Sequence, residues 1–208
     1  MSKGIFMVFE GIDGAGKTTQ VELLSKKLVD MGRRVSVTAE PTALPSGKAI
    51  RRALSGEDKK SECEMAVMFT LDRIAHNIDE ENGIKALTEK GFDVISDRYY
   101  YSSLAYQGAS TDYEWVKRMN ICSPEIRRPD LCIYLDLLPE QSLDRISRGR
   151  EKIEIYENLE KLTLTRNKFL SVIDDLRAEG ESIYVVDASR SVDQISEDIF
   201  EIVKKHLA

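Results

Sequence analysis

The sequence predicts an α/β chain, a five-stranded parallel sheet with helices on both faces. Three observations carry that prediction. Five short apolar runs of strand length recur along the chain, at 4–9, 34–38, 93–96, 131–135 and 183–186. The intervals between them hold apolar residues at helical spacing, and strands that alternate with helices pair in parallel. A glycine-rich stretch, Gly11-Ile12-Asp13-Gly14-Ala15-Gly16-Lys17-Thr18, stands where the first strand gives way to the first helix.

Each element has its own warrant. The run 4–9 is continuously apolar from Ile5 to Phe9, as a strand buried on both faces requires. Val21, Leu24, Leu28 and Met31 then mark one helix face, and Gly32 supplies a C-terminal stop. Residues 34–38 alternate apolar and polar, and Pro41 ends regular structure after Glu40. Ala49, Ile50, Ala53 and Leu54 predict a short helix carrying Lys48, Arg51 and Arg52. A polar turn at 56–60 leads into a helix over 62–78 with Met65, Met68, Phe69, Asp72, Arg73 and His76 along it. Asp79-Glu80-Glu81 reads as the water-facing start of a helix that continues through Ile84 and Leu87 to Lys90-Gly91. The strand at 93–96 carries Asp97-Arg98-Tyr99 at its end, and the strand at 131–135 is followed by a helix with Pro139 in its first turn. Leu159, Leu162, Phe169, Ile173 and Leu176 lie on one face of a long helix; Val192, Ile195, Ile199, Ile202 and Val203 mark the closing one.

With 208 residues, 42 % hydrophobic and 32 % charged, the chain is read as one domain over 1–208. No apolar run approaches the ~18 residues of a membrane span, and no signal-peptide pattern precedes the first strand. The expected setting is the cytoplasm, without a membrane partner. Cys63, Cys122 and Cys132 lack C-x-x-C spacing and read as buried free thiols. A net charge of −6 without a lysine/arginine block gives no reason to expect nucleic acid as a partner. A lone tryptophan, Trp115, reads as core, and His76 and His206 as structural or solvated.

Residues 11–18 fit the phosphate-binding pattern G-x-x-x-x-G-K-[ST] at every fixed position. Glycines let the backbone wrap a polyphosphate, Lys17 reaches its distal phosphates and Thr18 coordinates Mg²⁺. The chain therefore reads as a binder of ATP or GTP on a P-loop NTPase fold. A GTPase switch carries N-K-x-D; the Asn-Lys pair here, Asn167-Lys168, continues Phe169-Leu170. A small-molecule kinase needs a second anion site and a basic flap. Asp97-Arg98 and a lid segment of about 145–157, with Arg145, Arg148, Arg150 and Lys152, supply both.

The chain resembles the thymidylate kinase family over nearly its whole length. The resemblance is carried by Phe9-Glu10 running into the loop and on through Thr19, by Glu40-Pro41, by Phe69-x-x-x-Arg73, and by Asp97-Arg98-Tyr99 leading to Ser102-Ser103-Leu104-Ala105-Tyr106-Gln107-Gly108. Arg128-Pro129-Asp130-Leu131 before Tyr134-Leu135-Asp136 adds to it. It implies a nucleoside monophosphate kinase-like fold, a homodimer, and transfer from ATP to dTMP with Mg²⁺. The alternatives are another nucleoside-monophosphate or deoxynucleoside kinase, or a nucleotide-dependent regulatory protein.

The resemblance also distributes roles. Residues 11–19 would hold ATP, with Lys17 on its phosphates and Mg²⁺ at Thr18 and Asp97. Arg98 and Arg51 resemble the acceptor-phosphate ligands, with Glu40 beside them, and Asp13 would meet the 3′-hydroxyl of dTMP. Gly14 stands where one branch of the family carries an arginine, so Arg148 and Arg150 of the lid would supply that charge. Phe69 and Arg73, four apart on one helix face, would stack on the pyrimidine and donate to its 4-carbonyl, and cytosine would present an amino group there instead. Ser103 and Gln107 resemble base-edge contacts, and Tyr106 the residue beneath the deoxyribose. Ala39 replaces the arginine that commonly precedes Glu-Pro, which loosens the acceptor-loop assignments of Glu40 and Arg51.

Overall fold

The computed structural model describes residues 3–146 and 152–207, with 152–158 described by their backbone alone. Among these, β1 (Phe6–Glu10), β2 (Val35–Ala39), β3 (Asp93–Asp97), β4 (Leu131–Asp136) and β5 (Ile183–Asp187) form one parallel sheet in the order β2-β3-β1-β4-β5. Phe6, Met7, Val8 and Phe9 at its centre are wholly buried. Every strand runs one residue past the apolar pattern at its carboxyl end, to Glu10, Ala39, Asp97, Asp136 and Asp187. The backbone ladder continues in register there, pairing Phe9 with Asp97 and Asp136 with Asp187. Hydropathy is blind to this, because a ladder is made by N–H and C=O whatever the side chain. The result is a rim on which four of the five strands end in a carboxylate.

The connection after β1 departs toward β2, and that after β4 departs toward β5. The carboxyl ends of β1 and β4 therefore flank a crevice of the kind in which open α/β sheets bind ligands. Helices α1 (Lys17–Asp30), α2 (Pro45–Leu54), α3 (Glu62–Ile78) and α4 (Ile84–Glu89) follow the first two strands; α5 (Tyr100–Ser110) and α6 (Tyr113–Ile121) follow β3. Helices α7 (Pro139–Ile146), α8 (Lys152–Ala178) and α9 (Val192–Lys204) complete the described order. The start of α3 is fixed by a capping box: Ser61 Oγ accepts from Glu64 N at 3.2 Å while Glu64 Oε2 accepts from Ser61 N at 2.8 Å.

The structure departs from the sequence reading in four places. Asp79-Glu80-Glu81 does not start a helix; Asp79 caps the end of α3 and its Oδ1 accepts from the N–H groups of Glu81 and Asn82, a turn that delays α4 to Ile84. Helices α5 and α6 have no counterpart among the expected elements. Their aromatic residues are poor helix formers, but Tyr100, Tyr101 and Leu104 are buried, and tertiary burial overrides propensity. Of the three free cysteines only Cys132 is buried; Cys63 and Cys122 are exposed. Trp115 is only half-buried: it packs against the core and also lines a shallow groove beside α3. No helix among the described residues is long and apolar enough to cross a membrane.

Candidate active site

The phosphate loop is held open by its backbone. Gly16 caps α1 at φ +94°, in the left-handed region, and among the described residues no side chain caps the N–H groups of the first turn. Those donors, with the positive end of the helix, form an anion site. They face a cavity of about 460 Å³ lined by Gly14, Gly16, Lys17, Thr18, Thr19 and Asp97 among others. Lys17 Nζ folds back onto the carbonyls of Gly11 and Ile12, at 3.0 and 3.2 Å. Burial, followed by the neighbouring Arg98 charge, pushes its pKa down to about 8.

Helix α7 clasps the loop from the other side. Ser142 Oγ donates to Asp13 O at 2.5 Å; Arg145 donates to Gly14 O at 3.2 Å and to Ala188 O at 3.0 Å. Gly14 sits at φ +76°, and a β-carbon there would lie 3.0 Å from Ile146 and 3.1 Å from Ser142 O. The space in which a loop arginine would begin is filled by this helix. Arg145 thus braces the loop from beneath, whereas Arg148 and Arg150 of the lid segment lie outside the described residues.

Thr18 Oγ1 donates to Asp97 Oδ2 at 3.1 Å, and Asp97 Oδ1 is buried with no hydrogen-bond partner among the described residues. A hydroxyl and an unsatisfied carboxylate oxygen beside a phosphate site fit Mg²⁺, a hard cation that takes oxygen ligands.

Asp13, Arg98 and Glu40 join this cavity to a larger one. Arg98 Nη2 meets Asp13 Oδ1 at 2.5 Å, and both residues line both cavities. Arg98 is held in the left-handed region at φ +73° by its N–H on Phe9 O and its carbonyl on Ser96 Oγ. Glu10, fully buried at the end of β1, accepts from the N–H groups of Tyr99 and Ser102 and from Ser102 Oγ. Burial raises its carboxyl above the ordinary range, and the Arg98 charge is the foremost influence against that rise.

The larger cavity, about 640 Å³, is lined by Phe69, Arg73, Ser103, Tyr106, Gln107 and Glu40 among others. Phe69 is half-buried and faces it, so it is not a core residue. Tyr106 stands edge-on to Phe169, ring centres 5.8 Å apart. Arg73 is 1 % exposed and paired with Glu40, whose Oε2 lies 2.6 Å from Nη2. Asp72 secures the turn carrying Glu40 by accepting from Thr42 N, Thr42 Oγ1 and Ser46 Oγ at 2.6–2.7 Å.

Sequence reasoning therefore selects a set of which Glu40, Phe69, Arg73, Arg98, Ser103, Tyr106 and Gln107 share one cavity. Arg51 stands apart from it: its guanidinium donates to the carbonyls of Thr42 and Pro41 and lines neither cavity. Sequence reasoning gives no site role to Asn120 or Asp72. Asp72 adjoins Arg73 in sequence, but Asn120 reaches Arg73 across 47 residues with no local signal.

A family model described as thymidylate kinase matches residues 9–199. The chain is 40 % identical over 202 residues to a probable thymidylate kinase of Pyrobaculum aerophilum, covering 96 % of each chain. It is 38 % identical over 212 residues to the probable thymidylate kinase of Pyrococcus horikoshii, covering 99 % of this chain and 98 % of that one. The thymidylate kinase of Leptospira interrogans is 34 % identical over 203 residues, 96 % of this chain and 94 % of its own. The chain belongs to the thymidylate kinase family. Membership makes it a phosphotransferase acting between nucleotides, and two adjoining cavities joined by Asp13, Arg98 and Glu40 have the layout that a donor and an acceptor require.

Proposed function

We propose that this chain transfers the γ-phosphoryl group of ATP to dTMP, with the smaller cavity holding the donor phosphates and the larger one the acceptor. The observation that carries the assignment is that Asp13, Arg98 and Glu40 line both cavities, so the two ligands would meet at one cluster of charged groups. A phosphate monoester has a second pKa near ~6, so dTMP arrives at pH 7 mostly as its dianion and needs no strong general base. The barrier lies in bringing two anions together, which positioning and electrostatics lower.

In this reading Lys17 and the amides of Gly11, Ile12, Asp13, Gly14, Ala15, Gly16, Thr18 and Thr19 hold the donor phosphates. Thr18 and Asp97 hold Mg²⁺, which when bound neutralises phosphate charge. Arg98 takes the acceptor phosphate, a planar fork matched to phosphate oxygens. Arg51 joins it on leaving the carbonyls of Pro41 and Thr42, and Asp13 receives the 3′-hydroxyl. Arg148 and Arg150 supply the cationic charge that Gly14 lacks. Phe69 stacks on thymine, Arg73 donates to its 4-carbonyl, Ser103 and Gln107 face the base edge, and Tyr106 supports the sugar. We further infer a cytoplasmic homodimer that pairs through α3. Val67, Leu71 and Ile78 recur on one face of that helix at 47, 57 and 47 % exposure, an apolar stripe that a second copy would cover.

Initial rates of ADP formation with dTMP, dUMP, dCMP and thymidine test the function. The fastest turnover is expected with dTMP. Faster turnover with dCMP or thymidine, or ATP hydrolysis indifferent to every monophosphate, overturns it.

A further inference from the structure

In the function proposed for this chain Arg73 reads the base, and the role of its buried neighbours rests on that reading. The guanidinium is almost sealed from water, so protein groups set its direction. Nε and Nη2 lie 2.9 and 2.6 Å from Glu40 Oε2, Nη2 also donates to Ser103 Oγ at 3.1 Å, and Nη1 donates to Asn120 Oδ1. Of the five N–H donors of a guanidinium, these contacts leave one on Nη1 for a ligand.

Two of the holders are themselves held. His76 Nδ1 lies 3.0 Å from Glu40 Oε1. A carboxylate only accepts, so Nδ1 carries the proton, and Nε2 lies 2.8 Å from the Thr38 hydroxyl. Asn120, fully buried on α6, donates from Nδ2 to Val116 O at 2.9 Å, with Thr70 Oγ1 at 3.4 Å. With its amide nitrogen so engaged, its carbonyl oxygen is turned toward Arg73. Neither His76 nor Asn120 lines the cavity.

We propose that His76 and Asn120 are positioning residues for base selection. Between them they clamp the guanidinium, His76 through Glu40 on one side and Asn120 directly on the other. The remaining Nη1 donor is thereby aimed at an acceptor. It pairs with O4 of thymine and meets the N4 amino group of cytosine donor to donor, a mismatch that leaves buried groups unpaired. A guanidinium released from either side can turn a different edge to the base, and the preference relaxes.

Kinetics with dTMP and dCMP at saturating ATP decide the matter in Asn120→Leu, His76→Phe, His76→Asn and Arg73→Ala chains. Asn120→Leu and His76→Phe are expected to raise the dTMP KM about tenfold, keep kcat within about twofold, and lower the dTMP-to-dCMP ratio of kcat/KM by about tenfold. His76→Asn, whose amide nitrogen stands where Nδ1 stood, is expected to restore most of the ratio. An altered ratio in Arg73→Ala, with the His76→Phe and Asn120→Leu ratios unchanged, overturns the proposal and leaves the base reading intact. An unchanged ratio in Arg73→Ala overturns the base reading and the proposal with it. Should Asn120→Leu and His76→Phe fail to fold, His76→Asn is compared with His76→Gln, whose nitrogen reaches toward the Nε2 position instead. The proposal requires the asparagine chain to be the more selective; equal or reversed selectivity overturns it.

Discussion

Around the phosphate loop the recognising groups are mostly backbone amides, contributed by residues contiguous in sequence. Around Arg73 they are side chains drawn from the turn after β2 and from α3, α5 and α6. The first half is open, with Thr18 and Thr19 at the mouth of a helix and no side-chain cap. The second is nearly dry: Arg73, Glu40, His76, Asn120 and Ser103 are all buried. Under the proposed function the difference follows from the ligand part each half would face. A polyphosphate is multiply charged and alike in every nucleotide, so amides and one lysine suffice. A base is distinguished by the direction of one or two hydrogen bonds, and direction is preserved only where water is excluded and every polar group is held.

The contrast is broken most directly at Lys17. Lys17→Ala is expected to lower turnover with every monophosphate by roughly 10³-fold or more, since an electrostatic ligand of the transferring group is removed. Calorimetry should meanwhile find dTMP affinity within about twofold, if the two halves are separable. Collapse of both would show one coupled site. Gly14→Ala is the next largest. A left-handed backbone costs an L-residue about 1–2 kcal/mol, and the new methyl meets Ile146 and Ser142 at 3.0 and 3.1 Å. Thermal melts should fall by several degrees and ATP affinity should weaken, while dTMP binding is preserved.

Proton linkage sharpens the comparison further. In the folded chain Lys17 titrates near 8, against 10.5 in an unperturbed lysine. Donor phosphates favour the ammonium form, so ATP affinity should fall as pH rises through about 8, and binding there should take up protons. Between about 8 and 10.5 the unfolded chain binds more protons at this group than the folded one, so its contribution to stability rises with pH. Calorimetry in buffers of different ionisation enthalpy measures the uptake; dTMP binding should show none from this residue. The smallest effect is at the α3 cap. Ser61→Ala should cost about 1 kcal/mol, a melting shift of about 2–4 °C, with both substrates' kinetics unchanged.

The same contrast explains which features are legible in the sequence. The loop 11–18 is a local code, because its geometry is set by glycine positions within one turn. The strands are legible from their apolar interiors, and their polar last residues are not. Phe69 and Arg73 share a helix face and are found together. His76 lies on that face too, three residues beyond Arg73, and its spacing alone could have flagged it. Asn120 offers nothing comparable, since α6 itself has no clear pattern and the contact spans three intervening elements, α4, β3 and α5. Arg51 shows the converse. Its position is legible, yet whether its guanidinium meets a ligand or the carbonyls of Pro41 and Thr42 depends on the turn's shape.

Arg98 rests against Asp13 at the junction of the two cavities. The carboxylate is held there by the fold, so an anion reaching this guanidinium has first to displace it. A free inorganic anion must outcompete that resident plug with nothing but its charge. Under the proposed function a nucleotide would gain further contacts through its ring and sugar, which free phosphate lacks.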